Sequence, residues 1–201
     1  MSTKSRAIDA ASTAFARRGF AATSLDELAR ELGFTKQTIL YHFGSKNGLL
    51  EAVLIDGADQ LIEQLGDAVA AAPAGWPKVE AAVRSAFALA ISEPHLLGLL
   101  REVSRLGPPQ SDVVLELLGP LVDDAVAALD EGMDAGLFRR SDPRIVLVSA
   151  YASVAGVVTD AGALTAVGLE LDLRVAAQLR RAVLQFLRAA LVPAGAYPRP
   201  Q

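Results

Sequence analysis

Apolar residues recur along this chain at steps of three and four almost throughout, and no run of alternating β-branched residues bounded by turn signals interrupts them. The pattern predicts an all-α fold. The first helix runs from Thr3 to Arg18, with Ile8, Ala11, Ala14 and Phe15 on one face and Gly19 as its stop. In TSLDELARELG, Ser24 and Glu27 have the spacing of a capping box, Leu25, Leu28 and Leu32 form an apolar face, and Gly33 ends the helix. Thr35 can cap a third short helix ending near Phe43, and Gly44 breaks the pattern before Ser45 caps a longer one.

That longer helix can continue from Lys46 to about Ala72 without a flexible linker. PAGWP reads as a turn, with Pro77 suited to the first position of a helix reaching Glu93. His95 to Leu106 reads as a helix closed by GPP, and Gln110 to Ala135 as another, in which Pro120 is expected to cause a kink or break. Asp142 caps a helix from Pro143 to about Ala163, and a last helix spans about Asp172 to Val192. Residues 193–201, PAGAYPRPQ, are expected to be a disordered tail.

The last two helices carry a further message in where their polar residues fall. Arg174, Gln178, Arg181, Gln185 and Arg188 form one polar stripe on an otherwise apolar cylinder, and the stretch Ile145 to Thr159 has no charge on any face. A helix apolar all round belongs in a core or an interface. The pattern favours an intersubunit four-helix bundle with Val148, Ala152, Ala155, Val175, Leu179, Ala182 and Phe186 at a homodimer interface. The same charge-free stretch is too short to span a bilayer, which needs roughly 18 to 20 apolar residues, so no membrane partner is expected.

Charge changes the picture once it is divided along the chain. The net charge of −4 argues at first against nucleic acid. Residues 1–47, however, hold seven basic groups (Lys4, Arg6, Arg17, Arg18, Arg30, Lys36, Lys46) and four acidic ones (Asp9, Asp26, Glu27, Glu31), leaving this part +3 and the rest −7. The absence of cysteine excludes a disulfide scaffold and thiolate metal sites, and the N-terminus lacks the apolar core of a secretory signal, so a cytoplasmic location is expected. No cofactor motif, metal site or catalytic set is evident: there is no Gly-rich phosphate loop and no Ser, His and Asp arrangement. His95 reads as a structural histidine, Asp123, Asp124, Asp130 and Glu131 as a solvated face, and Trp76 as a packing anchor.

Two short helices joined by a tight glycine-containing turn have the form of a helix-turn-helix. Leu28, Leu32, Ile39 and Phe43 can pack the pair, leaving Lys36, Gln37, Leu40 and Tyr41 as one contiguous outer face. Gln can make paired hydrogen bonds to adenine, and Lys can donate to guanine or phosphate. Residues at the start of a recognition helix lie nearest the base edges. Thr35, Tyr41, His42 and Lys46 suit phosphate contacts, and Ser24 and Thr38 complete the candidate interface with double-stranded DNA. Lys4 and Arg6, near the N-terminus, can reach the backbone or minor groove.

The stretches AIDAASTAFARRGFAATS, LDELARELGF and TKQTILYHFGSK together resemble the DNA-binding domain of the tetracycline-repressor (TetR) family of bacterial transcriptional regulators. Many members carry an aromatic pair in the recognition helix; here its first position is Leu40, which can meet a thymine methyl or serve packing. Beyond residue 47 the likeness is one of architecture, with MDAGLFRRSDPRI resembling the turn into the last two helices. The resemblance implies a helix-turn-helix domain over 1–47 and an effector-binding and dimerisation domain over 48–192, most often in a repressor that leaves a near-palindromic operator when a small effector binds. An apolar or amphipathic effector is expected, with Phe87, Leu97, Leu100, Val103, Leu117, Leu121 and Tyr151 as candidate lining. The helix from Lys46 is expected to carry the coupling, so that a stabilising change such as Gly57→Ala alters effector-dependent release more than operator affinity. The competing readings are an all-α ligand carrier or scaffold that makes no use of DNA and, with the least support in the residues, an enzyme.

Overall fold

The computed structural model describes residues 2–159, 161–170 and 172–193, leaving aside the side chains of residues 97, 100, 101, 104, 158, 159, 161 and 163. Among the described residues there are ten helices and no strand: α1 (Thr3–Arg18), α2 (Leu25–Leu32), α3 (Lys36–Phe43), α4 (Lys46–Ala70), α5 (Trp76–Ser92), α6 (Pro94–Leu106), α7 (Gln110–Asp134), α8 (Pro143–Thr159), α9 (Ala161–Ala166) and α10 (Leu173–Leu191). The expected tail falls largely on residues 194–201, outside the described residues.

The first three helices end where their local chemistry says. Ser2 accepts from the Ser5 amide at the start of α1, and Gly19 closes it at φ 84°. Ser24 and Glu27 form the reciprocal capping box of α2, and Gly33 closes that helix in the left-handed region at φ 69°, where a side chain would be strained. Each cap satisfies backbone groups that a short helix cannot satisfy internally, which is why eight-residue helices persist here.

Of the kink or break expected at Pro120, the break does not occur, and α7 runs through it. The lost N–H and the freed carbonyl one turn back fall at exposed positions, Pro120 and Glu116, where water can serve the carbonyl. The helix expected to reach Ala163 is described as α8 to Thr159 and as α9 from Ala161, with residue 160 outside the described residues.

The helices gather into two compact units: Met1–Ile62 with Ser92–Gly119, and Glu63–Ile91 with Pro120–Gln201. In the first, a core of Phe15, Leu28, Ile39, Leu49, Leu50 and Val53 also takes in Leu99 and Val103 of α6. α6 lies close along α1, for a Cβ on Gly98 would come within 3.0 Å of the Ala16 Cβ. Gly57 is another close approach: a Cβ there would stand 3.1 Å from Leu96 Cδ2, so the helix-propensity gain of Gly57→Ala is opposed by crowding against α6. The second unit is built around Trp76, Phe87, Met133, Phe138, Val183 and Leu187, with α8 packed against α10.

Candidate nucleic-acid interface

α2 and α3 meet through Leu28 and Ile39, both about 1% exposed, which fixes the inner face of α3 and leaves its outer face to solvent. Thr35 caps α3, its Oγ1 accepting from the Thr38 amide at 3.1 Å and lying 2.9 Å from the Thr38 hydroxyl. Lys36, Gln37, Tyr41 and His42 are exposed, Tyr41 to 86%, and the Tyr41 and His42 rings meet edge to face. Leu40 and Thr38 are half-buried; Leu40 packs against the first core, so packing accounts for much of its surface.

The cations of this unit are held by contacts that the sequence does not display. Lys36 Nζ pairs with Asp26 at 2.8 Å, both side chains largely exposed. An exposed pair of this kind is worth about 0–1 kcal/mol, so a phosphate can displace Asp26 at little cost. Lys46 lies over the Phe20 ring, 4.4 Å from its centre, and donates to the Ala21 carbonyl at 3.3 Å; partial burial holds its pKa below the usual lysine value. Arg6 donates to the Leu32 carbonyl at 3.2 Å and stands over Phe34, so in this state its guanidinium serves the end of α2. Arg18 pairs with Glu31 at 3.0 Å. Ser24 spends its side-chain oxygen on the capping box, accepting from the Glu27 amide at 3.1 Å.

Three residues that position this surface escaped sequence reasoning. Glu102, 8% exposed, accepts from the Phe20 amide at 2.8 Å and is paired with Arg105, so a carboxylate on α6 braces the turn between α1 and α2. Thr23, 1% exposed, donates to the Gly19 carbonyl at 2.9 Å in the same turn. Gly48 is needed because a Cβ there would collide with the Phe43 carbonyl oxygen, which sets the spacing of α3 and α4. The second glycine of GSKNG, at a helix start where alanine is the better former, was the one legible signal.

Residues 7–53, which hold α2, α3 and the whole outer face of α3, match the family model described as bacterial regulatory proteins, tetR family. The helix-turn-helix of this chain is of the TetR family. Over 143 residues, 70% of this chain, it is 29% identical to the HTH-type transcriptional activator FasR of Mycolicibacterium smegmatis, and the match spans 65% of that relative. The ketosteroid transcriptional regulator KstR2 of Mycobacterium tuberculosis superposes with a TM-score of 0.77 at 19% identity, covering 96% of either chain. FadR of Bacillus subtilis, solved in complex with stearoyl-CoA, gives 0.76 at 19% identity over 91% of this chain and 96% of its own. At such identities the structural likeness is one of fold, and it covers nearly the whole chain.

The residues expected to line an effector site are divided between the two units. Phe87 is buried in the second core and Val103 in the first, Leu117 and Leu121 are half-buried, and Tyr151 is 60% exposed. The side chains of Leu97 and Leu100 lie outside the described residues. The second unit holds a cavity of about 140 Å³, and of these residues the five with described side chains are not in its lining. On α8, Val148 and Ala152 are exposed and Ala155 half-buried; on α10, Ala182 and Phe186 are exposed and Val175 and Leu179 half-buried. Trp76 is buried, its Nε1 donating to Glu80 at 3.1 Å, and His95 Nδ1 lies 3.5 Å from a Glu93 carboxylate oxygen. No helix of the described residues is long and apolar enough to cross a membrane.

Proposed function

We propose that this chain is a transcriptional regulator acting as a homodimer, a repressor that holds a near-palindromic operator and is released by a small apolar or amphipathic effector bound in its C-terminal half. The observation that carries the reading is the outer face of α3, where Lys36, Gln37 and Tyr41 stand exposed on a helix whose other face is buried by Ile39. A helix held that way can enter the major groove with its first turn toward the base edges. Gln37 is the base reader, and Lys36 turns from Asp26 to a guanine or phosphate. Thr35, Thr38, Tyr41, His42, Lys46 and Ser24 border the same surface, with Leu40 beside the thymine methyl it can touch.

The dimer reading is supported by the exposed apolar positions of α8 and α10, Val148 at 66% and Phe186 at 62%, on adjacent helices. Two-fold symmetry then predicts two half-sites one helical turn apart or a multiple of it. The effector reading is supported by the cavity of the second unit and by α4, which gives its first turns to one unit and its last to the other.

The test is selection of bound sites from a random DNA pool with the wild-type chain and with a Lys36→Ala, Gln37→Ala double variant. A near-palindromic motif is expected for the wild type, and its loss or alteration in the variant, since a bidentate base contact is worth about 1–3 kcal/mol. Failure of a folded, dimeric wild-type chain to enrich any motif at moderate salt would move the reading to an all-α carrier. Phe186→Glu is expected to convert the dimer to monomer in sedimentation; a variant that stays dimeric would remove α10 from the interface.

A further inference from the structure

The cavity of the second unit is walled almost wholly by carbon. Its volume of about 140 Å³ owes much to alanines, with Ala82 on α5, Ala125 and Ala128 on α7 and Ala150 on α8 standing where longer side chains would fill the space. Close-packed interiors contain few voids larger than a water, and an unfilled cavity costs stability in proportion to its volume. Water is a poor tenant, because it needs two to four polar partners and almost all of this lining is apolar. A cavity of this size and lining suits a hydrocarbon body about as large as a benzene ring.

One lining residue is charged, Lys78, half-buried in the first turn of α5. Among the described residues its side chain has no hydrogen bond and no ion pair. The acid nearest in sequence is already engaged: Glu80 accepts from Arg84 through one oxygen at 2.6 Å and from the Trp76 indole through the other at 3.1 Å. A lysine stem can lie along an apolar wall with its ammonium at the rim, and that compact charge matches a carboxylate. The helix dipole at the start of α5 favours the same sign of ligand.

We infer that this cavity is a binding site for a small hydrophobic carboxylate, its hydrocarbon part among the alanines and its anionic end on Lys78. The inference rests on the effector reading above only in giving that effector a chemical class. About 140 Å³ is too little to bury a long acyl chain or a nucleotide-bearing thioester whole.

Trp76, the chain's single tryptophan, is buried in the same core and adjoins the lining residue Gly75, so its emission reports occupancy. The experiment titrates the full chain with hexanoate, with hexan-1-ol as the neutral counterpart and with dodecanoate as the oversized one, using calorimetry as a second readout. Hexanoate is expected to bind about tenfold more tightly than hexan-1-ol, the scale of a charge-assisted contact, and more tightly than dodecanoate. Lys78→Met is expected to bring hexanoate down to the alcohol while leaving alcohol binding intact, which also shows that the variant is folded. Ala128→Leu is expected to weaken both ligands. No saturable hexanoate binding at millimolar concentration, or equal hexanoate affinity in Lys78→Met, would overturn the inference. Operator retention is measured in parallel. Hexanoate binding without operator release leaves the site standing and removes the regulatory reading, whereas release by another compound with no hexanoate binding does the reverse.

Discussion

The two units of this chain solve the same problem, burying apolar helix faces, by different means. The N-terminal helices are short and closed by local devices: Ser2, Ser24 and Thr35 at their starts, Gly19, Gly33 and Gly44 at their ends. The second unit relies on longer helices, and its α8, without charge from Ile145 on, and striped α10 leave Val148, Tyr151 and Phe186 exposed. On the proposed function, the difference follows from what each surface would meet. Where partner atoms must be met at fixed positions, the chain specifies helix ends and orientation residue by residue; where a second copy or an apolar guest supplies the remaining contacts, pattern and volume suffice.

The largest effects expected are in the cores. Phe15→Ala and Phe87→Ala, each removing a ring that is 0% exposed, should each cost about 3–5 kcal/mol. Chemical denaturation followed by both circular dichroism and Trp76 emission will show whether the units unfold together. If the units are separable, Phe15→Ala alone should make the two probes part company, and coincident transitions in both variants would dissolve the distinction drawn here.

Next in size is the brace from α6. Glu102→Ala strips the Phe20 amide of its acceptor and should cost about 1–3 kcal/mol, whereas Glu102→Gln, which keeps an oxygen at that place, should recover most of it. Equal loss in the two variants would mean that the pairing with Arg105, and not the hydrogen bond, matters.

Smaller still is the cap of α3. Thr35→Ala should cost about 1 kcal/mol and speed hydrogen exchange at the Thr38 amide, with exchange in α8 and α10 unchanged. An unchanged Thr38 rate would show that tertiary packing on Ile39 alone holds the helix.

The smallest effect concerns Asp9, whose pKa is raised above the usual 3.8 by partial desolvation and by Asp56, with His95 opposing and Glu93 adding to the shift. A carboxyl whose folded pKa is raised binds its proton more tightly when folded, so its contribution to stability is lost as pH rises through that value. Asp9→Asn should therefore raise the urea midpoint slightly at neutral pH and not below pH 3.8. A gain that persists in acid would trace to something other than charge.

The sequence by itself determined the all-α class, the bounds of α1 to α3 and the outer face of the recognition helix. Those features rest on interactions within four residues, caps and periodic burial, which a linear pattern carries intact. The short reach of such rules is also why other things were hidden. Pro120 reads as an interruption although its turn is exposed and the helix runs through it. Charge counting presents Lys36, Lys46 and Arg6 as free cations, because Asp26, Phe20 and Leu32 meet them only after folding. Grouping of α6 with the N-terminal helices, the brace from Glu102 and the cavity beside Lys78 all join residues distant along the chain. Tertiary structure decided them because a void, or a carboxylate reaching across to another helix's amide, depends on which side chains fall short or come together in space, and no local period encodes that.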